Sequence, residues 1–330
     1  MSAIEVRNLR KVFSRAKRPP GLIARIRSSF RPQHDHFVAV DDIDFKVNEG
    51  EALAFIGPNG AGKSTTIKML TGILHPTSGE ASVLGQVPWR DRTQLSFRIG
   101  SVFGQKSQLW LHLPPRDTFD LLSRIYELKR SDYLTRRDEL VKAFELDDII
   151  DVPVRKLSLG QRMRCEVAAS LLHRPKIIFL DEPTIGLDPV AKAAIRELIK
   201  RANKEDGVTV FLTSHDAGDI ERLCRRVIII NHGRLIFDDS TNRLRREFLR
   251  TKEIDLKLSA PWENGIELEG VTVLKAKNFG VKLTVDTAKQ SIQSVVSRLL
   301  ERSQVEDITI QNLPLEDIIM DIYRRQAVSP

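Results

Sequence analysis

Residues 57–65 have the residue types and the spacing that bind a chain of phosphates. They read GPNGAGKST and fit the pattern G-x-x-x-x-G-K-[ST]. Glycines allow backbone N–H groups to turn inward around phosphate oxygens, and a following helix N-terminus adds its positive dipole end. We expect Lys63 to reach the β- and γ-phosphates and Ser64 to bind Mg²⁺. The residues expected at the phosphates are Gly57, Pro58, Asn59, Gly60, Ala61, Gly62, Lys63, Ser64 and Thr65.

The flanking sequence supplies the elements that this loop needs. Residues 52–56 form a short apolar run that predicts a buried strand, and residues 65–70 can begin a helix. A strand, a glycine loop and a helix are the context in which the pattern binds phosphate. The alternative is a glycine-rich turn with a chance lysine, and this context argues against it. The sequence therefore predicts a site for a nucleoside triphosphate.

A second set of candidate residues is acidic and ends a strand. Residues 177–180 are apolar and are followed by Asp181 and Glu182, while the apolar run 208–212 ends in the polar residues 213–215. Parallel strands that end in polar residues place chemistry at the carboxyl edge of an open α/β sheet. We expect Asp181 to hold Mg²⁺, directly or through water, and Glu182 to orient and polarise the attacking water.

Taken in order, these motifs resemble an ATP-binding cassette ATPase, the motor subunit of an ABC transporter. The run LSLGQRMR at residues 157–164 is similar to the L-S-G-G-Q signature of that family and precedes the acidic strand. Gln105 matches the family's Q-loop, Asp188 its D-loop and His215 its switch histidine. Six motifs in the family's order lie within residues 1–240, which makes the resemblance highly specific.

The resemblance implies ATP hydrolysis with ATP and Mg²⁺ as the bound groups. It implies that Glu182, His215 and Gln105 are catalytic, with His215 bonded to the γ-phosphate and helping to position the water. It also implies that Mg²⁺ is held through Ser64, Gln105 and Asp181.

The signature motif implies that one chain is not sufficient. Ser158 and the backbone of Gly160 are expected at a helix N-terminus, which is an anion site. In this family that site faces the γ-phosphate on the phosphate loop of a second cassette, so two ATP molecules are held between two cassettes. The partner is expected to be a second copy, although a related chain stays open. The residues expected to act in trans are Leu157, Ser158, Leu159, Gly160 and Gln161.

Two positions depart from the family's pattern. Leu159 replaces the first of the paired signature glycines, a variation seen in exporter-type cassettes, so we expect activity to persist. Phe13 occupies the place where the family usually stacks a tyrosine on adenine, and a phenyl ring can also stack. Phe37 is the other candidate for adenine stacking, and the sequence does not choose between them.

The resemblance implies an α/β fold of the ABC-type P-loop NTPase class over residues 1–240. This domain has a mixed-sheet core, an antiparallel β layer and a helical subdomain at about residues 107–170. Residues 14–36 contain six Arg or Lys, one acid and three prolines, and they interrupt the layer as a basic insertion. A surface loop is the favoured interpretation of this insertion. The alternative is a short amphipathic piece that touches a membrane surface or a partner.

The last part of the chain, residues 241–330, predicts a small accessory α+β domain without a catalytic pattern. We expect a basic helix at residues 243–252 and then three strands. The helix that follows them is expected to carry five apolar residues on one face, namely Ile292, Val295, Val296, Leu299 and Leu300. A strand at residues 305–310 and a closing helix follow. The three strands are expected at residues 254–260, 271–277 and 281–286, and the closing helix carries Leu315, Ile318, Ile319 and Ile322.

Composition describes an ordinary globular chain with a basic surface. The net charge of +8 and the pI near 9.5 attract nucleic acid or anionic lipid, and composition does not choose between them. No apolar run approaches the roughly 18 residues that cross a bilayer, and the N-terminus lacks a signal-peptide pattern. The cysteines Cys165 and Cys224 fit a reduced compartment as core thiols.

The favoured function is that of a transport ATPase in the drug- and polysaccharide-exporter-like branch of ABC transporters. In that branch the ATPase is a separate chain that docks on integral membrane permease subunits, here through a groove after Gln105 that includes Trp110. We therefore expect a peripheral protein at the cytoplasmic face of the cell membrane, and export as the direction. The alternative is a non-transport cassette acting on nucleic acid or the ribosome. A single cassette without a long coiled-coil insertion argues against it, so no nucleic-acid partner is expected, and the transported substrate stays open.

Overall fold

The computed structural model describes residues 2–16, 34–104, 107–214, 216–248, 251–262, 268–312, 318, 319 and 322. The chain divides into two compact units, Met1–Asp239 and Ser240–Pro330. Within the described ranges, no helix has both the length and the apolar character that a membrane crossing needs.

The first unit is built from three layers of secondary structure. In chain order its strands are β1 (Ser2–Ala16), β2 (His34–Asn48), β3 (Ala52–Ile56), β4 (Ser78–Val83), β5 (Ile99–Phe103), β6 (Ile177–Asp181), β7 (Thr209–Thr213), β8 (Arg226–Asn231) and β9 (Arg234–Ser240). Its helices are α1 (Lys63–Leu70), α2 (Arg92–Ser96), α3 (Pro115–Ile125), α4 (Arg130–Ala143), α5 (Leu159–Ser170), α6 (Pro189–Glu205) and α7 (Ala217–Leu223), with a 3₁₀ turn at Val154–Lys156.

The central sheet has six strands in the order β5-β6-β7-β3-β8-β9. The pairs β5-β6, β6-β7, β7-β3 and β3-β8 are parallel. Strands β3, β6 and β7 are short and almost fully buried, which is why they read as continuous apolar runs rather than alternating ones. Their carboxyl ends lie at one edge of the sheet, so the segments that follow them in sequence meet there.

A three-stranded antiparallel layer packs over this sheet in the order β2-β1-β4. The contact is aromatic: the ring of Phe45 on β2 lies 5.7 Å from that of Phe55 on β3. Phe55 in turn lies 5.3 Å from Phe211 on β7, and Phe179 on β6 lies 5.6 Å from Phe211. Four buried rings therefore join the two layers beneath the edge where the strands end.

Strands β1 and β2 are longer than the sequence predicted. Their pairing continues through Ser14 with His36, Arg15 with Asp35 and Ala16 with His34, so both ends of the predicted insertion at residues 14–36 belong to the hairpin. Two antiparallel strands can continue to pair where their side chains are charged, because the hydrogen bonds between the strands involve only the backbone. Residues 17–33 lie outside the described residues.

The second unit is a small α+β arrangement. Its elements are α8 (Thr241–Phe248), β10 (Thr251–Leu258), β11 (Val271–Lys277), β12 (Gly280–Asp286), α9 (Ile292–Arg302) and β13 (Val305–Asn312). The sheet is antiparallel in the order β11-β12-β10-β13. Its core consists of aliphatic side chains from β10, β12 and α9, namely Ile254, Leu256, Leu258, Val281, Leu283, Val285, Val295 and Leu299.

The predicted basic helix at residues 243–252 was too long. The helix ends at Phe248, and Lys252 lies in β10, paired with Val285 and Asn312. Ile254, Leu256 and Leu258 alternate along β10 and are buried. The strand pairs with β12 on one side and β13 on the other, and this pairing outweighs the local preference for a helix. Of the predicted closing helix, Leu315 lies outside the described residues, while Ile318 is buried.

Candidate functional site

The loop between β3 and α1 is held in a shape that only glycine allows at two positions. Gly62 precedes the first residue of α1 with a φ of 111°, in a region that L-residues rarely adopt. A Cβ atom there would lie 2.4 Å from the Ala39 carbonyl oxygen, and one on Gly57 would lie 2.2 Å from the Ile230 oxygen. The spacing read from the sequence is therefore a steric requirement of the folded loop.

The ammonium group of Lys63 lies at the centre of this loop. Its Nζ donates to the carbonyl oxygens of Gly57 at 2.6 Å and Pro58 at 3.3 Å, and the residue is 6% exposed. Burial lowers the pKa of Lys63 from its ordinary value, while the negative charges of Glu182 and Asp181 act in the opposite direction. A desolvated cation that faces a backbone cradle is suited to bind phosphate oxygens.

The other loop residues surround this cation with different degrees of exposure. Asn59 and Gly60 form the exposed tip, while Ala61 is buried and donates its N–H to the Pro58 oxygen at 3.1 Å. Ser64 and Thr65 are half-buried in the first turn of α1. The loop thus presents its backbone and a serine hydroxyl at the start of a helix.

Asp181 is the last residue of β6, Glu182 directly follows it, and both carboxylates act electrostatically on Lys63. Glu182 Oε1 lies 3.9 Å from Lys63 Nζ, and Asp181 Oδ1 accepts a 2.6 Å hydrogen bond from Thr213 Oγ1 at the end of β7. Neighbouring side chains of a strand point to opposite faces, but Glu182 has a φ of 55°. At this left-handed residue the backbone leaves the extended conformation, so the side chains of Asp181 and Glu182 no longer point to opposite faces. Both carboxylates therefore lie near the phosphate loop.

Thr213 is a site residue whose role the sequence did not reveal. Besides bonding Asp181, its backbone oxygen accepts a 3.1 Å hydrogen bond from the Glu182 N–H. The sequence marked residues 213–215 only as a polar strand end. The hydroxyl directly after three apolar residues was the available signal, but its partner is 32 residues away.

The signature segment forms the exposed beginning of α5. Ser158 is the N-cap, and its Oγ accepts from the Gln161 N–H while Gln161 Oε1 accepts from the Ser158 N–H, which makes a reciprocal capping box. Gly160 lies against Ala191 of α6, where an added Cβ atom would be 2.9 Å from the Ala191 Cβ. Leu157 is buried and Leu159 is exposed. The helix N-terminus expected from the sequence is present.

Asp188 is the N-cap of α6, at the end of the loop that follows Glu182. Its Oδ1 accepts hydrogen bonds from the N–H groups of Val190 and Ala191, each at 2.9 Å. An aspartate in this position satisfies N–H groups that have no partner within the helix. The same residue that matches the D-loop therefore has a local structural role as well.

The segments on both sides of Gln105 are anchored to different elements. The Gly104 N–H donates to the Asp181 oxygen at 3.0 Å. On the other side, the Glu166 carboxylate of α5 accepts from Ser107 Oγ and from the Gln108 N–H at 3.3 Å. Burial raises the pKa of Glu166. The sequence reasoning missed Glu166, an acid within the otherwise apolar end of the signature helix.

Gln105 and His215 themselves lie outside the described residues. The structure therefore describes the chain around each of them, and their roles stay predictions. Of the two neighbours of His215 in sequence, Ser214 donates a hydrogen bond to Asp219. Asp216 accepts hydrogen bonds from two side chains of α6.

Phe13 and Phe37, the two candidate adenine-stacking residues, are direct cross-strand partners in the β1-β2 ladder. They are 39% and 59% exposed. Lys11 Nζ lies 5.3 Å from the centre of the Phe13 ring. The two candidates for stacking on adenine are therefore neighbouring rings. Together they form one exposed aromatic patch.

The oxygen donors near Lys63 fit a magnesium ion that is shared with a nucleotide. Across the described residues, no group of three or more His, Cys, Asp or Glu side chains could hold a metal alone. Mg²⁺ commonly takes one or two protein oxygens and completes its shell with phosphate oxygens and water. The Ser64 hydroxyl and the Asp181 carboxylate supply ligands of this kind.

Comparison with known proteins shows which family the chain resembles. The ABC transporter family profile matches residues 40–185. Daunorubicin resistance ATP-binding protein DrrA3 of Streptomyces coeruleorubidus is 31% identical, over 86% of this chain and 90% of that protein. Bacitracin transport ATP-binding protein BcrA of Bacillus licheniformis is 30% identical, over 83% of this chain and 85% of that protein.

A solved structure shares the fold of the first unit. The ATP-binding cassette MJ0796, in a dimeric post-hydrolysis state bound to ADP and Pi, superposes with a TM-score of 0.61 at 25% identity. The match covers 72% of this chain and 98% of that one. The phosphate loop, the acidic strand end and these relatives together define a P-loop ATPase of the cassette type. The chain belongs to the ABC transporter family, as an ATP-binding subunit whose relatives include drug-resistance proteins.

Proposed function

We propose that this subunit hydrolyses ATP with Mg²⁺ and that hydrolysis drives export through separate permease subunits. The observation that carries the proposal is the meeting of a buried ammonium and a carboxylate at one sheet edge, with Lys63 Nζ 3.9 Å from Glu182 Oε1. One group follows β3 and the other follows β6, so the fold brings the Lys63 ammonium close to the Glu182 carboxylate, which supports the roles proposed for them. In this proposal residues 1–240 are the ATPase cassette and residues 241–330 an accessory domain.

Each residue near the loop has a role in this proposal. Lys63 and the N–H groups of residues 57–65 bind the phosphates, and Ser64 and Asp181 hold Mg²⁺. When bound, Mg²⁺ neutralises charge on the phosphate oxygens. Glu182 orients the attacking water and accepts its proton. Thr213, by bonding Asp181 at 2.6 Å, keeps that carboxylate directed toward the metal position.

The family resemblance supplies the remaining contacts of the proposal. Gln105 is a further ligand of Mg²⁺, and His215 bonds the γ-phosphate. The exposed N-terminus of α5, with Ser158 and Gly160, contacts the γ-phosphate on the loop of a second copy of the chain. Because that phosphate joins both copies only before cleavage, hydrolysis releases the dimer.

An exposed apolar run supports docking on a membrane permease. Trp110 and Leu111 are about half exposed, and Leu113 is 37% exposed, shortly after Gln105 in the sequence. Exposed apolar groups that lie together mark interaction sites more often than chance surface exposure. Two relatives are named for bacitracin transport and daunorubicin resistance, so we propose export of small antibiotic-like molecules from the cytoplasmic face of the membrane.

The proposal is tested by hydrolysis and by membrane recovery. The full-length chain is expected to release phosphate from ATP only when Mg²⁺ is present, and to sediment with membranes that contain its permease. Leu111→Ser is expected to reduce recovery with membranes several-fold and to leave phosphate release by the free chain unchanged. Leu300→Ser is the matched control, because Leu300 of the second unit is 54% exposed and Leu111 is 48% exposed. Sedimentation with ribosomes, or no hydrolysis under any condition, would contradict the proposal.

A further inference from the structure

The backbone at Glu182 is held in an uncommon conformation. With a φ of 55°, this residue lies in the left-handed region, which is unfavourable for a residue other than glycine. Such a conformation persists only when the surrounding contacts determine it. The contacts on both sides of Glu182 are therefore the ones that keep its carboxylate at the phosphate loop.

On its N-terminal side, Glu182 is held by the end of β7. Its N–H donates to the Thr213 carbonyl oxygen and to Thr213 Oγ1, each at 3.1 Å. On its C-terminal side, the next anchored side chain is Thr184, which is fully buried and donates from Oγ1 to Asp219 Oδ2 at 2.5 Å. The strained residue thus lies between two anchors, one on each side.

Asp219 receives hydrogen bonds from three different elements. It has an exposure of 0%. Its Oδ2 accepts from Thr184 and from Ser214 Oγ at 2.6 Å, and its Oδ1 accepts from Arg196 Nε at 2.6 Å. These donors come from the β6–α6 loop, the β7–α7 loop and helix α6. A buried carboxylate with both oxygens bonded is a rigid connection, because breaking any bond leaves a desolvated polar group.

Arg196 extends the connection to the start of α7. Arg196 Nη2 donates to Asp216 Oδ1 at 2.8 Å. Lys192, one turn earlier on α6, donates from Nζ to Asp216 Oδ2 at 2.5 Å. Asp216 also caps α7 through the Gly218 N–H at 2.8 Å. The guanidinium therefore fixes two carboxylates at once, which a lysine in its place would not do.

We propose that Asp219 is a positioning residue for ATP hydrolysis, which acts on Glu182 through the hydroxyl of Thr184. Asp219 holds the loop after Glu182 against the β7–α7 loop, and this keeps the left-handed turn closed and the carboxylate near Lys63. Without the Thr184 bond, the turn relaxes toward ordinary backbone geometry and the carboxylate moves away. A displacement of about 1 Å at a reacting group costs on the order of 100-fold in rate. The inference rests on the proposed function, because Glu182 must be the water-activating acid.

A pair of substitutions at Thr184 separates this role from packing. Thr184→Val keeps the shape and removes the hydroxyl, whereas Thr184→Ser keeps the hydroxyl and removes a methyl group. In steady-state phosphate release with Mg²⁺ and ATP, Thr184→Val is expected to lower kcat about 10- to 100-fold with KM and ATP affinity within about twofold. Thr184→Ser is expected to stay near wild type. Thr118→Val is the control, because Thr118 is equally buried and its hydroxyl has no hydrogen-bond partner in the described structure.

The outcomes distinguish this inference from the proposed function. If Thr184→Val keeps a kcat within twofold of Thr184→Ser, or if both variants lose the same activity, Asp219 is only a packing residue and the inference is wrong. Should Thr184→Val not fold, Asp219→Asn decides, since it keeps the volume and loses an acceptor; an unchanged kcat overturns the inference. A wild-type chain without any hydrolysis overturns the proposed function and this inference with it, whereas an active wild type beside an active Thr184→Val overturns this inference alone.

Discussion

The two units of the chain bury different kinds of side chains. The core of the second unit is aliphatic, and its one buried ionisable group in the described ranges is Glu253, which is matched by Lys282 at 2.9 Å and Gln311 at 2.6 Å. The first unit buries Lys63, Asp219 and many other polar groups. Several of these, including Lys63, Thr213 and Asp219, lie at or next to the carboxyl edge of its sheet.

This difference shows where the fold maintains unfavourable arrangements. Aliphatic burial stabilises a domain by itself, and the second unit needs little more. Burying an ammonium or a carboxylate opposes folding unless partners compensate it. The first unit supplies such partners and also keeps Glu182 in a left-handed conformation. The coincidence of buried charges and a left-handed acid at one site leads to the hypothesis that this region serves chemistry, and substitutions in the two units test it.

The largest effect is expected for Glu182→Gln in the first unit. Loss of the proton acceptor is expected to lower turnover about 100- to 10,000-fold, the usual range for a general base, while ATP still binds. The variant should therefore accumulate as an ATP-bound dimer in size-exclusion chromatography. Glu301→Gln, at an exposed position of the second unit, serves as the control and should turn over like wild type. A variant that stays monomeric with ATP would contradict the dimer mechanism.

The next effect concerns stability alone and falls in the second unit. Leu283 is fully buried, so Leu283→Ala is expected to destabilise that unit by about 2–5 kcal/mol. Denaturant unfolding measures this loss, with Leu300→Ala at an exposed position as the control. Because the residues of the proposed ATP site belong to the first unit, the KM for ATP should stay within twofold of the wild-type value. A large rise in KM would show that the comparison between the units is too simple.

Lys63→Ala is expected to weaken ATP binding about 10- to 100-fold. The estimate follows from about 1.5–3 kcal/mol for hydrogen bonds that involve a charged group. Calorimetric titration measures it, and Lys257→Ala is the control, because Lys257 is an exposed lysine of the second unit that pairs with Glu306 at 2.9 Å. Equal ATP affinities for the wild type and Lys63→Ala would contradict the proposed role of Lys63 in binding the phosphates.

The smallest effect is expected at the aromatic patch. Phe13→Ala should weaken ATP binding roughly three- to tenfold, in line with about 0.5–1.5 kcal/mol for a stacked ring pair. Phe37→Ala should do less, and Phe279→Ala, an exposed ring of the second unit, should do nothing. The same titration with each variant decides between the two partners. If Phe37→Ala has the larger effect, the adenine stacks there instead.

The elements with a continuous sequence signal were predictable. The strand, loop and helix around Lys63, and the helix that starts after Ser158, depend on residues within about ten positions of each other. The aliphatic strands of the second unit were located to within a few residues. The errors came where pairing with distant strands decided the outcome, as in the helix that ends at Phe248 instead of continuing to Lys252.

The local pattern of residues 57–65 by itself determined that this protein has a phosphate loop, because the residue types and the spacing that define the loop lie within nine consecutive positions. The short patterns at residues 177–182 and 157–161 likewise indicated the acidic strand end and the helix that begins after Ser158. Only the tertiary structure decided how Glu182 is held. Its anchors lead to Thr213 and, through Thr184, to Asp219, which lies 35 residues from Thr184 in sequence. Contacts of that kind arise when parallel strands bring their ends to one edge, and no local spacing records them.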